Sequence, residues 1–459
     1  MNKNLNKNGD LRLPVLLMMG GALFSMHFGA SSMVWPMNWG KESGSSVFVA
    51  FLGAFITSLL LTLLAYIALS RGNGSYGKLA TRILGKKLGT FYTVLTIIIL
   101  GPLYAIPRMS AAAWDSIVQA FGLNASSKLP LIIFTVAFYM VTYLFLVSPG
   151  KTMDRISQIL FPLLLIIVII VVGKGLLNPI SEPVTKSYEG SAFFYGFTNG
   201  YATAEILCAL IFGVVILNSL KDKGVTEARM SKNIIRVGIV GISLLTITHL
   251  CHMLIGASTG GTIDLAYTAL YTAVSMQLLG RIGGLLFSIA LFFAALTTAI
   301  GMTSGCAEFF VDITDGKIEY KKIAISILVL STIFGCMGLS SILEFLGPIL
   351  DGIYPAAIVL VIYYALMPNN QSERNLKACS LAMITALIFG FIDTIYSYGI
   401  KLNIDLAIIN NLYEILPLSS EKLAWVPWTV LAGIIGYFIF MPKEKDINPK
   451  RKKIRKVAS

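Results

Sequence analysis

The stretch HFGASSMVWP, residues 27–36, places an imidazole, a glycine, two hydroxyls and a proline inside an otherwise apolar run. Gly29, Ser31 and Ser32 let a backbone leave the helix, and Pro36 withdraws a donor further on. Unwinding frees N–H and C=O groups, and the resulting half-helix ends carry partial charge, positive at N-termini and negative at C-termini. Those ends suit a carboxylate and a cation respectively, so Gly29, Ala30, Ser31 and Ser32 are candidate ligand-binding positions. Close helix packing through small residues is the plainer use of the same composition.

A second stretch, YGFTNGYATAEILCALIFG, sets Gly196 and Gly200 around Phe197, Thr198 and Asn199, with Glu205 following. The glycines predict a second break, and a carboxylate in an apolar run is expensive and usually functional. His27 can donate, accept or take a proton near neutral pH, so His27 and Glu205 are proton-coupling candidates. The plainer readings are hydrogen-bonded packing for His27 and bracing of the broken helix for Glu205. In GPLYAIPR, Pro102 and Pro107 predict a kink, and Arg108 and Asp351 are gating candidates, Arg108 either neutralising Glu205 or Asp351 or snorkelling outward. Asp115 lies seven residues on, two helical turns away. Two hydroxyl pairs, Thr297–Thr298 and Thr303–Ser304, offer oxygen to a hard cation, or simply bond their own helix carbonyls. His249 and His252 share a helix face but have no acidic or cysteine partner nearby. The five cysteines form no CxxC pair, so no resident metal or disulfide framework is expected.

The elements that must hold these residues follow from composition. The chain is 56% hydrophobic and only 13% charged, with mean hydropathy +0.77. Too little charge is present to cover a soluble surface of this size, and the expected class is an all-α integral membrane protein. Twelve apolar spans are read at 13–39, 46–69, 88–121, 129–148, 154–176, 190–219, 232–258, 279–311, 321–340, 344–366, 376–398 and 424–441. The third reaches ~51 Å at helical rise and must tilt or project.

The interrupted spans, one and six, lie five apart. A five-span repeat is odd and sets its second copy upside down, and paired broken helices in such halves mark a transporter's midplane site. The expected organisation is a tail (1–12), a first repeat (13–176), an inverted second repeat (190–366), two added helices (376–441) and a basic tail (442–459).

Net charge is +13, and the segment KEKDINPKRKKIRK alone holds eight of the 36 Lys and Arg. Basic residues also cluster in the loops after spans two and six. Their alternation predicts both termini on the cytoplasmic side of the membrane, with anionic lipid rather than nucleic acid as partner. No cleavable leader is expected.

FGASSMVWP, GPLYAIPR, GFTNGYATAEILCALIFG and ALTTAIG together resemble the bacterial branched-chain amino acid:cation symporter family, within the amino acid/polyamine/organocation assemblage. The likeness runs through all twelve spans. It implies a LeuT-like 5+5 inverted repeat plus two helices, and inward transport of leucine, isoleucine and valine with Na+ or H+. Gly29 and Ala30 match the family's G-A-G-N signature, whereas Ser31 and Ser32 replace its Gly and Asn, and Glu205 is one methylene longer than the usual Asp. The resemblance further implies a sodium site on Ala294, Thr297 and Thr298 with the carbonyls of Ser25 and Phe28. Tyr104, Ile106 and Phe197, with Thr198, Asn199 and Gly200, complete the implied substrate cavity. No organic cofactor and no enzymatic activity are expected, since no nucleophile–base set is present. The rival readings are a proton-coupled carrier of another neutral amino acid and a non-transporting amino acid sensor.

Overall fold

Hydrocarbon offers backbone groups no partners, so a chain this apolar must satisfy them within its own helices. The structure, a computed structural model, describes residues 3–72, 74–123, 128–146, 151–186, 191–367, 372–404 and 406–440, so the basic tail lies outside the described residues. In chain order the helices are α1 (Leu13–His27), α2 (Ala30–Ser43), α3 (Val47–Ala54), α4 (Leu61–Arg71), α5 (Tyr76–Ile98), α6 (Ile106–Phe121) and α7 (Lys128–Phe145). There follow α8 (Thr152–Arg155), α9 (Phe161–Leu177), α10 (Ala192–Tyr201), α11 (Glu205–Asp222), α12 (Glu227–Ala257) and α13 (Tyr267–Leu279). The last are α14 (Arg281–Ile313), α15 (Tyr320–Gly335), α16 (Leu339–Leu366), α17 (Glu373–Lys401), α18 (Ala407–Ile415) and α19 (Trp425–Ile439).

Three of the junctions are wide π-helical turns: Phe55–Leu60 between α3 and α4, Ile99–Ala105 between α5 and α6, and Ile156–Leu160 between α8 and α9. The second contains Pro102, whose missing N–H loosens the ladder where a kink was expected. Gly85, at φ +79°, ends a short helical approach before the long run to Phe121 begins. Among the described residues, eight continuous helical stretches are long and apolar enough to cross a bilayer, and the pair α10–α11, bent by 41°, makes a ninth. This is a multi-pass helical membrane protein.

The long α14 runs through the middle and is buried along most of its length, against α6, α11, α1 and α13. Beside it, α2 and α12 approach at backbone distance. A Cβ on Gly40 would stand 1.9 Å from the Met253 carbonyl oxygen, and one on Gly256 1.9 Å from that of Met37. At the tail end, the Leu11 N–H donates to Asn233 Oδ1 at 3.0 Å, while Lys232 Nζ donates to Asp10 Oδ2 at 2.6 Å. All five cysteines are free.

Candidate functional site

The first break occupies two residues. α1 closes at His27, Phe28 and Gly29 turn the chain, and α2 opens at Ala30 with no side chain capping its N-terminus. A Cβ on Gly29 would lie 2.6 Å from Thr298 Oγ1, so this glycine lets the break press against α14. The second break is not at the Gly196–Gly200 pair where the sequence placed it. It falls at residues 202–204, where Ala204 adopts a left-handed φ of +54° and α11 opens at Glu205. The glycines serve packing instead: a Cβ on Gly196 would meet the Ala50 carbonyl at 1.8 Å, and one on Gly200 would meet Thr57 Oγ1 at 2.4 Å.

The two breaks share one carboxylate. Glu205 Oε2 lies 2.7 Å from His27 Nδ1, and Ser32 Oγ donates to Glu205 Oε1 at 2.6 Å. His27 Nε2 lies 2.6 Å from the Tyr66 hydroxyl on α4, and the Phe212 ring stands edge-on at 5.0 Å. Each charge-bearing group suits its helix end: an imidazole in the last turn of α1, a carboxylate in the first turn of α11. Tyr66 carried no signal in the sequence, being one tyrosine in an apolar run.

The carbonyls left over at the end of α1 account for the threonines. The Phe24 carbonyl accepts from Phe28 N–H and the His27 carbonyl from Gly29 N–H, which leaves Ser25 and Met26. Thr297 Oγ1 donates to the Ser25 carbonyl at 2.6 Å and to that of Ala294 at 2.9 Å, and Thr298 Oγ1 donates to the Met26 carbonyl at 2.7 Å. Met26 therefore takes the place expected for Phe28. The adjacent hydroxyls and these carbonyls concentrate hard oxygen at the negative end of a helix.

Arg108 does not form the ion pair expected of it. Its Nη1 donates to the Tyr104 hydroxyl at 3.0 Å, and its guanidinium stands 4.6 Å from the Tyr104 ring and 5.3 Å from that of Trp35. Asp351 instead has Lys422 at 3.7 Å. Above the first break lies a cavity of about 570 Å³, bounded by Ala30, Ser31, Trp35, Arg108, Asp115 and Glu344 among others. Phe197, Thr198 and Asn199 are not on its wall. α10 packs on α3, and the side chains of Thr198 and Asn199 bond carbonyls of their own helix. Ile106 is fully buried, with its carbonyl taken by Tyr139. His249 and His252 bond carbonyls one turn back, and His252 also meets Tyr271 at 2.9 Å.

The sequence pattern of the family described as branched-chain amino acid transport protein matches residues 14–443. The chain is 31% identical to the branched-chain amino acid permease BraB of Bacillus subtilis, over 95% of this chain and 98% of that one. It is 30% identical to the branched-chain amino acid transport system 2 carrier protein of Pseudomonas aeruginosa, over 94% and 98%. Among solved structures it resembles MhsT in complex with L-phenylalanine (TM-score 0.53, 15% identity, 91% and 97% covered). It also resembles the nucleobase-cation-symport-1 family transporter Mhp1 (TM-score 0.58, 12% identity, 93% and 94% covered). The fold is that of LeuT-like transporters.

Proposed function

Because the chain belongs to the branched-chain amino acid transport protein family, we propose that it imports leucine, isoleucine and valine across the bacterial cell membrane by symport with Na+ or H+. The observation that carries this reading is the meeting of two broken helices around Glu205, with the uncapped start of α2 facing a cavity. In this reading the chain makes twelve spans, a five-helix repeat and its inverted copy plus two more, with both termini cytoplasmic. The Gly29 N–H is taken by the His27 carbonyl, so the substrate's α-carboxylate sits against the N–H groups at Ala30, Ser31 and Ser32, and anionic lipid faces the basic loops. Apolar pockets separate substrates by only ~1–3 kcal/mol per methylene, so all three branched side chains are accepted.

Transport proceeds by alternating access, with α1–α4 and α10–α12 rocking against α5–α7, α14 and α15. Coupling requires the cation and the amino acid to favour the same conformations. Thr297 and Thr298, joined to the Ser25 and Met26 carbonyls, favour a sodium ion there. The His27–Glu205 contact favours the second reading, a proton carried between the breaks.

The test is uptake of labelled isoleucine into proteoliposomes under a sodium gradient or a proton gradient imposed separately. Accumulation under sodium alone assigns the threonines, and accumulation under the proton gradient alone assigns His27 and Glu205. Binding without accumulation under either gradient would make the protein a sensor and overturn the transport reading.

A further inference from the structure

Arg108 is a buried cation with no anion. It is 6% exposed, and among the described residues no carboxylate lies within 4.0 Å of its guanidinium. Nη1 is used by Tyr104, while Nε is buried without any hydrogen-bond partner. An unpaired charge held away from water is costly, and two flanking aromatic faces offset that cost only in part. The side chain borders the 570 Å³ cavity that also reaches Ala30 and Ser31, where α2 presents its uncapped N-terminus. Three sources of positive potential thus border one space: the Arg108 guanidinium with free donors, the helix start, and the Lys401 ammonium, which also donates to the Glu344 carbonyl. A guanidinium offers paired N–H groups that fit the two oxygens of a carboxylate.

We propose that Arg108 is the specificity-determining anchor for the substrate's α-carboxylate in this cavity. The inference rests on the transport reading and adds the chemical class of what the cavity admits. Asp115 and Glu344 border the same cavity. With Arg108 and Lys401 the lining carries two charges of each sign, which favours a net-neutral zwitterion over a ligand with surplus charge of either sign. Trp35, Val34 and Leu343 provide apolar wall for an aliphatic side chain. The cavity therefore selects α-amino acids that keep both charged groups and rejects analogues lacking the carboxylate.

The experiment is equilibrium binding of labelled isoleucine to the purified full-length protein, with leucine and leucinamide as competitors. Wild-type protein is expected to prefer leucine over leucinamide by at least about tenfold. Arg108→Gln should weaken isoleucine binding about ten- to a hundredfold and bring the two competitors to within a few-fold of each other. This ratio is measured within one sample, so partial loss of folded protein does not change it. Where Arg108→Gln binds too weakly to titrate, Arg108→Lys supplies the ratio, which should narrow because an ammonium lacks the paired donors. An unchanged leucine-to-leucinamide ratio in the variant titrated would overturn the assignment of Arg108 and leave the transport reading intact. Wild-type protein that binds no amino acid would instead remove the transport reading, and this inference with it.

Discussion

His27 closes α1 and Glu205 opens α11, yet their side chains meet at 2.7 Å, joining two helix ends that are 178 residues apart in sequence. Both groups are buried, and removing one leaves the other with a neutral hydroxyl alone, Ser32 for Glu205 and Tyr66 for His27. His27→Ala or Glu205→Ala should each destabilise the protein by about 3–5 kcal/mol. His27→Leu combined with Glu205→Leu should cost less than the sum of the single Leu changes, by about 0.5–3 kcal/mol. Thermal unfolding in detergent measures the cycle, and strict additivity would show that the contact is not energetically coupled.

Thr297→Val with Thr298→Val keeps side-chain shape but strips two donors from the Ser25 and Met26 carbonyls. Each carbonyl left dry costs about 1–3 kcal/mol. Where sodium drives wild-type uptake into proteoliposomes, the double variant should lose that dependence on sodium concentration. If sodium stimulates the variant as it does the wild type, the coupling cation is bound elsewhere.

The tail lock depends on charge. The hydrogen bond from Lys232, helped by the neighbouring arginines, holds the Asp10 carboxyl below its ordinary value of 3.8. A lowered carboxyl stabilises the docked tail at every pH above that ordinary value, and the contribution disappears as pH falls through the lowered one. Lys232 is largely exposed, so the pair contributes only about 0.2–1 kcal/mol. Asp10→Asn should therefore speed hydrogen exchange across residues 5–12 by a few-fold at neutral pH, most clearly at low salt. Wild type and variant should converge only in strong acid. Equal exchange at neutral pH would show that the ion pair does not hold the tail.

Gly40→Ala and Gly256→Ala drive a methyl group into the facing backbone, whereas Gly347→Ala meets nothing within 4 Å. The first two should destabilise by about 1–3 kcal/mol, and the third should be close to neutral. Melting temperatures of the three variants provide the comparison. A neutral Gly40→Ala would mean that α2 and α12 separate easily.

The first break was legible at Gly29, but the two serines credited with it lie inside α2, in its first turn. The second was displaced by several residues, since Gly196 and Gly200 carry the same signature but spend it on contact with α3 and the turn after it. The actual corner is Ala-Thr-Ala, whose composition says nothing about a left-handed backbone. Thr297 and Thr298 stood out as adjacent hydroxyls, the family resemblance supplied their α1 carbonyl partners, and one of those partners is Met26, two residues from the expected Phe28. Tyr66, the partner of His27, was invisible because one tyrosine among leucines has no period to mark it. Arg108 was noticed, but its lack of a carboxylate could only be learned from coordinates, because ion pairing between distant segments leaves no local pattern.

The close seam between α2 and α12 has a mechanical consequence. Two helices that touch backbone to backbone cannot slide or splay independently, so they turn as one bar. The same helix α12 also lies along α1, where a Cβ on Gly241 would stand 3.0 Å from the Gly20 carbonyl oxygen. One unbroken helix thus splints both halves of the interrupted span, so a shift of α12 carries α1 and α2 together instead of folding them at Phe28–Gly29.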